Sequence, residues 1–190
     1  MVAPSLRWRS RHTAGYSLVE LLLVVGLIAV IAGMTVFSVQ AALPGMIGNA
    51  ALDTVVGALR LGRNSAIAQR RPIEVRVTPP NRIDLVRIDT GGETTITTAF
   101  LEGAPSFVLT PGLPDTPDAF GNATAVDFGG AAVVRFRADG TLTDGAGLPV
   151  NGSIFIGVPG TPLAARAATL VGATGRAMPY RWNGAVWDRR

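Results

Sequence analysis

From Leu21 to Leu43 the chain carries no charge, and only Thr35, Ser38 and Gln40 interrupt the apolar run. As a helix rising about 1.5 Å per residue, such a run reaches across a hydrocarbon core roughly 30 Å thick. Pro44-Gly45 follows it and predicts a kink or loosening, because proline removes a helical donor. Helical spacing then resumes from about Asn49 to Gln69, where Leu52, Val55, Val56, Leu59, Ala66 and Ile67 form an apolar stripe. Asn49 is the expected N-cap and Asp53 lies in the first turn. Arg70-Arg71 close the helix in keeping with its dipole, and Pro72 stops it.

Beyond Pro72 the period changes to two. Ile73, Val75 and Val77 alternate with Glu74, Arg76 and Thr78, and Pro79-Pro80-Asn81 makes a turn. Ile83, Leu85 and Ile88 give a second strand that ends at Asp89-Thr90-Gly91-Gly92. Further strands are expected at 94–100, 107–110, 133–138, 153–158 and 167–171. A last hairpin is expected to turn at Asn183-Gly184, between Tyr180-Arg181-Trp182 and Ala185-Val186-Trp187. The Pro-, Gly- and Asp-rich stretch from Pro111 to Gly130 reads as a long loop. The fold class is therefore α+β, a long N-terminal helix packed on an antiparallel β-sheet body.

Charge sharpens the division. All 17 basic residues are Arg, and Arg7, Arg9 and Arg11 fall in the first fifteen residues, where there is no acid. Without those three, 14 Arg face 13 acids, so the high pI does not make the folded part a polyanion binder. The basic flank stays cytoplasmic by the positive-inside rule, which sends the C-terminal body outward. There is no Cys or Lys, and the single His is His12 in the basic leader. That excludes disulfides, thiolate or His-ligated metal sites, and Ser-His-Asp or Ser-Lys catalysis in the body. Neither enzyme activity nor a cofactor is expected.

An ordinary signal peptide cut near Val39-Gln40-Ala41 and a plain membrane anchor are the bland readings of the N-terminus. The apolar run exceeds the usual roughly 7–15 residues of a signal peptide. An acid, Glu20, also sits at its mouth, where a charge is costly and marks function.

Gly15-Tyr16-Ser17-Leu18-Val19-Glu20-Leu21-Leu22 resembles the class III signal of type IV prepilins and type II secretion pseudopilins. The resemblance implies that a prepilin peptidase cuts after Gly15 and methylates Tyr16. Glu20 then becomes the fifth residue of the processed chain. Tyr16 stands where Phe is usual, with the ring kept. The implied organisation is a leader at 1–15, a transmembrane helix at 16–43, a periplasmic continuation at 44–71 and a β-rich domain at 72–190. In a filament, Glu20 would pair with the N-terminal amine of a neighbouring subunit, neutralising a charge in an apolar bundle. Gly26 and Gly33, two turns apart, would let neighbouring helices approach.

Three later segments resemble the GspH/FimT group: Leu59 to Ile73, Phe136-Arg137-Ala138-Asp139-Gly140-Thr141, and Leu170-Val171-Gly172-Ala173-Thr174-Gly175-Arg176. In the first, Gly62 stands where Ala is usual and Ile73 where Val is usual. This resemblance implies a minor pseudopilin of a type II secretion system in the inner membrane. Its expected partners are the prepilin peptidase, other major and minor pseudopilins, and the inner-membrane assembly platform. A minor pilin that assembles a type IV pilus or takes up DNA is the alternative, and an unrelated single-span anchored β domain is a weaker third.

Arg176 and Arg181, interleaved with Tyr180, Trp182 and Trp187, are the candidate DNA contacts, since arginine with aromatic rings binds single strands. The DNA-receptor members of the group carry Gly-Arg-x-Arg in this tail. Here Gly175-Arg176-Ala177-Met178 lacks the second Arg. A hairpin packing Trp182 and Trp187 on the sheet is the competing expectation. Arg60, Arg63, Arg70 and Arg71 read as a solvated basic helix face, with DNA or acidic lipid as the sharper alternative. Asp115, Asp118 and Asp127 match no EF-hand-type spacing and read as an acidic loop rather than a calcium site.

Overall fold

The computed structural model describes residues 15–190, with the side chains of residues 35–39 and 41 outside that description. The basic leader with Arg7, Arg9, Arg11 and His12 lies outside the described residues. Helix α1 spans Leu18–Gln69, and the chain divides after Ala41 into two compact units. In the first unit the helix offers its apolar side chains on every side, from Leu18 and Val19 through Leu27 and Ile28 to Met34.

The expected break at Pro44-Gly45 is corrected: α1 continues through Pro44. Proline withholds the N–H that would serve the carbonyl four residues back, and the helix runs on without that one bond. Just beyond the proline, buried Arg166 ties the helix to the body, donating from Nη2 to the Gly45 carbonyl at 2.8 Å and from Nε to Asn49 Oδ1 at 2.9 Å. Asn49 is thus an acceptor in mid-helix rather than an N-cap.

The second unit begins at Ala42. By length and composition Ala42–Gln69 is long and apolar enough to cross a membrane. One face of it is nonetheless committed to the body, where Leu52, Val55, Val56, Leu59 and Ala66 are fully or almost fully buried. Ile67, expected in the stripe, is 41% exposed at its rim. The helix ends at Gln69 without a basic residue in its last turn, correcting the expected place of Arg70-Arg71. Arg70 adopts a left-handed φ of 51°, the usual way for a chain to leave a helix, and Pro72 holds Arg71 out of it. Arg71 instead approaches Asp89 at 3.9 Å.

Eleven strands follow: β1 Ile73–Thr78, β2 Arg82–Asp89, β3 Gly92–Phe100, β4 Ser106–Phe107, β5 Val126–Asp127, β6 Val134–Phe136, β7 Leu142–Asp144, β8 Gly152–Val158, β9 Thr161–Val171, β10 Arg176–Trp182 and β11 Trp187–Arg189. They form two antiparallel sheets where one was expected. The first has the order β3-β2-β1-β6-β7, the second β11-β10-β9-β8-β4, with β5 also paired to β8.

Helix and both sheets share one core, which gathers Leu52, Leu59, Leu85, Phe136, Ile154 and Leu170. The other face of the second sheet buries a separate cluster of Phe155, Ala165, Ala167, Tyr180, Trp182 and Trp187. Leu109 and Leu113 pack against that cluster, and Trp187 Nε1 donates to the Pro114 carbonyl at 2.8 Å. The start of the long loop is therefore the lid over this face.

The final hairpin forms with a different register from the one expected. Trp182 pairs with Trp187, which leaves a four-residue connection, Asn183 to Val186, in place of a two-residue turn. Asn183 Oδ1 accepts from the backbone N–H groups of Ala185 and Val186, both at 2.9 Å, and fixes the longer turn. The two indoles then meet edge to face, with centroids 5.5 Å apart.

Candidate functional site

The proposed processing residues lie in the first unit. Gly15 is exposed with open space where a Cβ would stand, and Tyr16 is 79% exposed. Ser17 precedes the helix, its carbonyl accepting from Leu21 N–H at 3.1 Å, and Glu20 is the acid of the first turn. A carboxylate there faces the positive end of the helix dipole, so Glu20 favours the helix start before any neighbour is considered. Ser17-x-x-Glu20 is also a capping-box pattern, a signal available in the sequence that the family resemblance overshadowed. Gly26 and Gly33 have open space around the position of a Cβ.

In the second unit the three segments that carry the GspH/FimT resemblance converge on one side chain. Arg63 Nε, on α1, donates to the Thr174 carbonyl at 2.9 Å and to the Gly140 carbonyl at 3.2 Å. Both loops need glycine there. Gly140 and Gly175 have φ of 84° and 60°, and a Cβ on Gly175 would lie 2.0 Å from the Gly140 carbonyl oxygen. Arg63 also passes 3.2 Å from the position a Cβ would take on either glycine.

Beside this junction opens a cavity of about 380 Å³ lined by Arg60, Arg63, Asn64, Thr174, Gly175, Arg176 and Ala177. It brings Arg60 and Arg63 of the helix face together with Arg176 of the tail. Arg70 and Arg71 are not among its lining residues. Arg181 does not join it either: its guanidinium lies 3.7 Å from Asp188. Tyr180, Trp182 and Trp187 are buried in the second cluster, so the rings expected to stack with bases are packed inside the body. Burial, with the Asp118 carboxylate nearby, pushes the Tyr180 phenol above its ordinary pKa.

The three loop aspartates brace the loop. Asp115 accepts from the backbone N–H groups of Thr116 and Gly121, and Asp127 from those of Ala123 and Gly129. Asp118 accepts from the Thr169 hydroxyl of β9. Among the described residues no three His, Cys, Asp or Glu come together in a group that could hold a metal.

Two arginines were not found as structural residues by sequence reasoning. Arg166 alternates like an ordinary strand residue, yet it is 3% exposed and also donates to the carbonyls of Leu163 and Ala165. Burial lowers its pKa, and no acid lies within ion-pair distance of it among the described residues. Arg135 donates to buried Glu74 at 2.8 Å, and Arg76 bridges the same Glu74 to Glu93. Arg76 holds the Glu93 carboxyl below its ordinary range, chiefly by that hydrogen bond.

No protein-family model matches the chain, and no curated protein matches it. Among solved structures it is similar to the type IV minor pilin FimU of Pseudomonas aeruginosa. That match has 14% identity and a TM-score of 0.48, covering 74% of this chain and 91% of that one. The α+β architecture stands on the helix and antiparallel sheets described above.

Proposed function

We propose that the chain is a minor pseudopilin of a type II protein secretion system, a filament subunit and not a catalyst. One observation carries the reading. A peptidase-type Gly15-Tyr16 junction and an acid, Glu20, stand at the mouth of a helix that is apolar on every side from Leu18 to Met34. A helix of that kind needs apolar surroundings throughout, first lipid and then the helices of neighbouring subunits. In this reading the leader stays cytoplasmic and the helix lies in the inner membrane with the body in the periplasm. The prepilin peptidase cuts after Gly15 and methylates Tyr16. Glu20 then pairs with the amine of the adjacent subunit as the chain enters the filament on its assembly platform.

The test is the mass of the N-terminal peptide after expression with a prepilin peptidase. A peptide beginning at Tyr16 and one methyl group heavier is expected. An uncut chain, or cleavage near Ala41, would sink the reading. Glu20→Ala should abolish incorporation into filaments while the body's unfolding midpoint stays unchanged. Deletion of the gene should leave exoproteins stranded in the periplasm.

A second reading, a minor pilin that assembles a type IV pilus or takes up DNA, is favoured by exposed Arg176 beside Arg60 and Arg63. Loss of pili or of transformation, with secretion intact in the same deletion strain, would move the assignment there.

A further inference from the structure

Seven arginines of the body lie within 3.9 Å of a carboxylate: Arg71, Arg76, Arg82, Arg87, Arg135, Arg181 and Arg190. Arg60, Arg63 and Arg176 do not, and these three share one cavity with no acid in its lining. Three like charges around one space repel, and a counter-charge within hydrogen-bond reach would relieve them.

We propose that this cavity is a binding site for a phosphate-class oxyanion, either inorganic phosphate or a phosphate monoester. Arg63 is the fixed member. Its Nε is held by the carbonyls of Thr174 and Gly140, which orients the planar guanidinium and leaves its two Nη groups for a ligand. Arg60 and Arg176 flank it, their guanidinium groups without a hydrogen-bond or ion-pair partner among the described residues. A tetrahedral anion offers several acceptor oxygens to such a set of forks, in charge-assisted hydrogen bonds. Asn64 and Thr174 add neutral polar groups to the wall, and the volume of about 380 Å³ accommodates an ester substituent. No aromatic ring lines the cavity, and the tail's own rings are buried, so the stacking platform of a single-stranded nucleic-acid site is missing. That favours an isolated anion over a polynucleotide. The site stands whichever filament the chain enters.

The experiment uses the full chain in non-ionic detergent, with inorganic phosphate titrated against chloride at matched ionic strength. Arginine side-chain N–H resonances are followed by NMR in the wild type and in the Arg60→Gln, Arg176→Gln double variant. Arg63 is left intact because it also ties the two loops. The expected result is saturable shifts at Arg60, Arg63 and Arg176, with Arg82 unmoved, and at least about a tenfold weaker affinity in the double variant. Shifts spread evenly over all arginines, or unchanged affinity in the variant, overturn the proposal. A mixed-sequence DNA duplex is the second arm. Saturable shifts at these three arginines with the duplex, but none with phosphate, overturn it in favour of polynucleotide capture. The wild-type shift pattern decides the matter even if the double variant folds poorly.

Discussion

Leu18–Met34 and Ala42–Gln69 belong to one helix and are both apolar, yet they solve opposite problems. In the first stretch Leu21, Leu22, Leu23, Leu27 and Ile28 are all more than half exposed. In the second, Leu52, Val55, Val56 and Leu59 are buried while Arg60, Leu61 and Asn64 lie on the outer side or at its edge. The first is nearly free of polar residues, whereas the second carries Asp53, Arg60 and Arg63 at intervals that leave one face free for a core. The first stretch has no polar face to turn to water, as a helix in apolar surroundings would not need one. The second already has its partner in the two sheets.

The strongest test of this contrast removes the same methyl groups from each stretch. Leu59→Ala, at a site 1% exposed, should cost the body about 2–5 kcal/mol in denaturant unfolding followed by tryptophan fluorescence. Leu23→Ala should leave the same transition within about 0.5 kcal/mol. Equal losses would break the comparison.

Arg166→Met comes next. It removes the donor to the carbonyls of Gly45, Leu163 and Ala165 and to Asn49 Oδ1, and should cost about 2–3 kcal/mol. Amide exchange should quicken first in the turn after Pro44. Unchanged protection there would mean that Arg166 does not hold that turn.

Two glycines sharpen the comparison within the packed stretch. A Cβ on Gly48 would lie 2.5 Å from the Ala164 carbonyl oxygen, so Gly48→Ala should cost about 1–3 kcal/mol. Gly57 has open space at that position, so Gly57→Ala should gain about 0.5–1 kcal/mol from helix propensity. Thermal or denaturant midpoints with the same sign for both would contradict the packing described.

The smallest effect is an alkaline one, in the aromatic cluster away from the helix. Because the folded state holds the Tyr180 proton more tightly than the unfolded chain does, the folded state is the more protonated of the two above pH 10. Stability is therefore flat below that pH and falls as pH rises through it. Tyr180→Phe should remove this share of the slope in unfolding measured from pH 9 to 11.

The alternation of Ile73-Glu74-Val75-Arg76 placed β1 correctly, and β2, β3, β6 and β8 were legible to within a few residues for the same reason. Pro162 and Pro179 hid the first half of β9 and most of β10, since proline argues against a strand interior. β5 lies inside the Pro-, Gly- and Asp-rich stretch that reads as a loop, and β7 sits between the glycine turns at Gly140 and Gly145. In the final hairpin, Asn183-Gly184 marked the turn, but the Asn183 side chain chose a longer loop than that dipeptide favours. At the candidate sites, the proposal for Gly15, Tyr16 and Glu20 rests on residues contiguous with the apolar run. The Arg63 junction was not legible, because Arg63 and Thr174 are 111 residues apart.

By itself the sequence determined what depends on neighbours along the chain: an apolar run behind a basic flank, an acid at its mouth, and a change of period at Pro72. It also named three separate segments without saying that they meet. Tertiary structure decided what depends on distance in space. It tied the turn after Pro44 to the body, because a buried guanidinium two strands from the C-terminus reaches the Gly45 carbonyl. It turned the tail's aromatic rings inward, because the second face of the sheet had to be covered. It also gathered Arg60, Arg63 and Arg176 around one cavity, because two glycine turns pack where only a chain without a Cβ can pass.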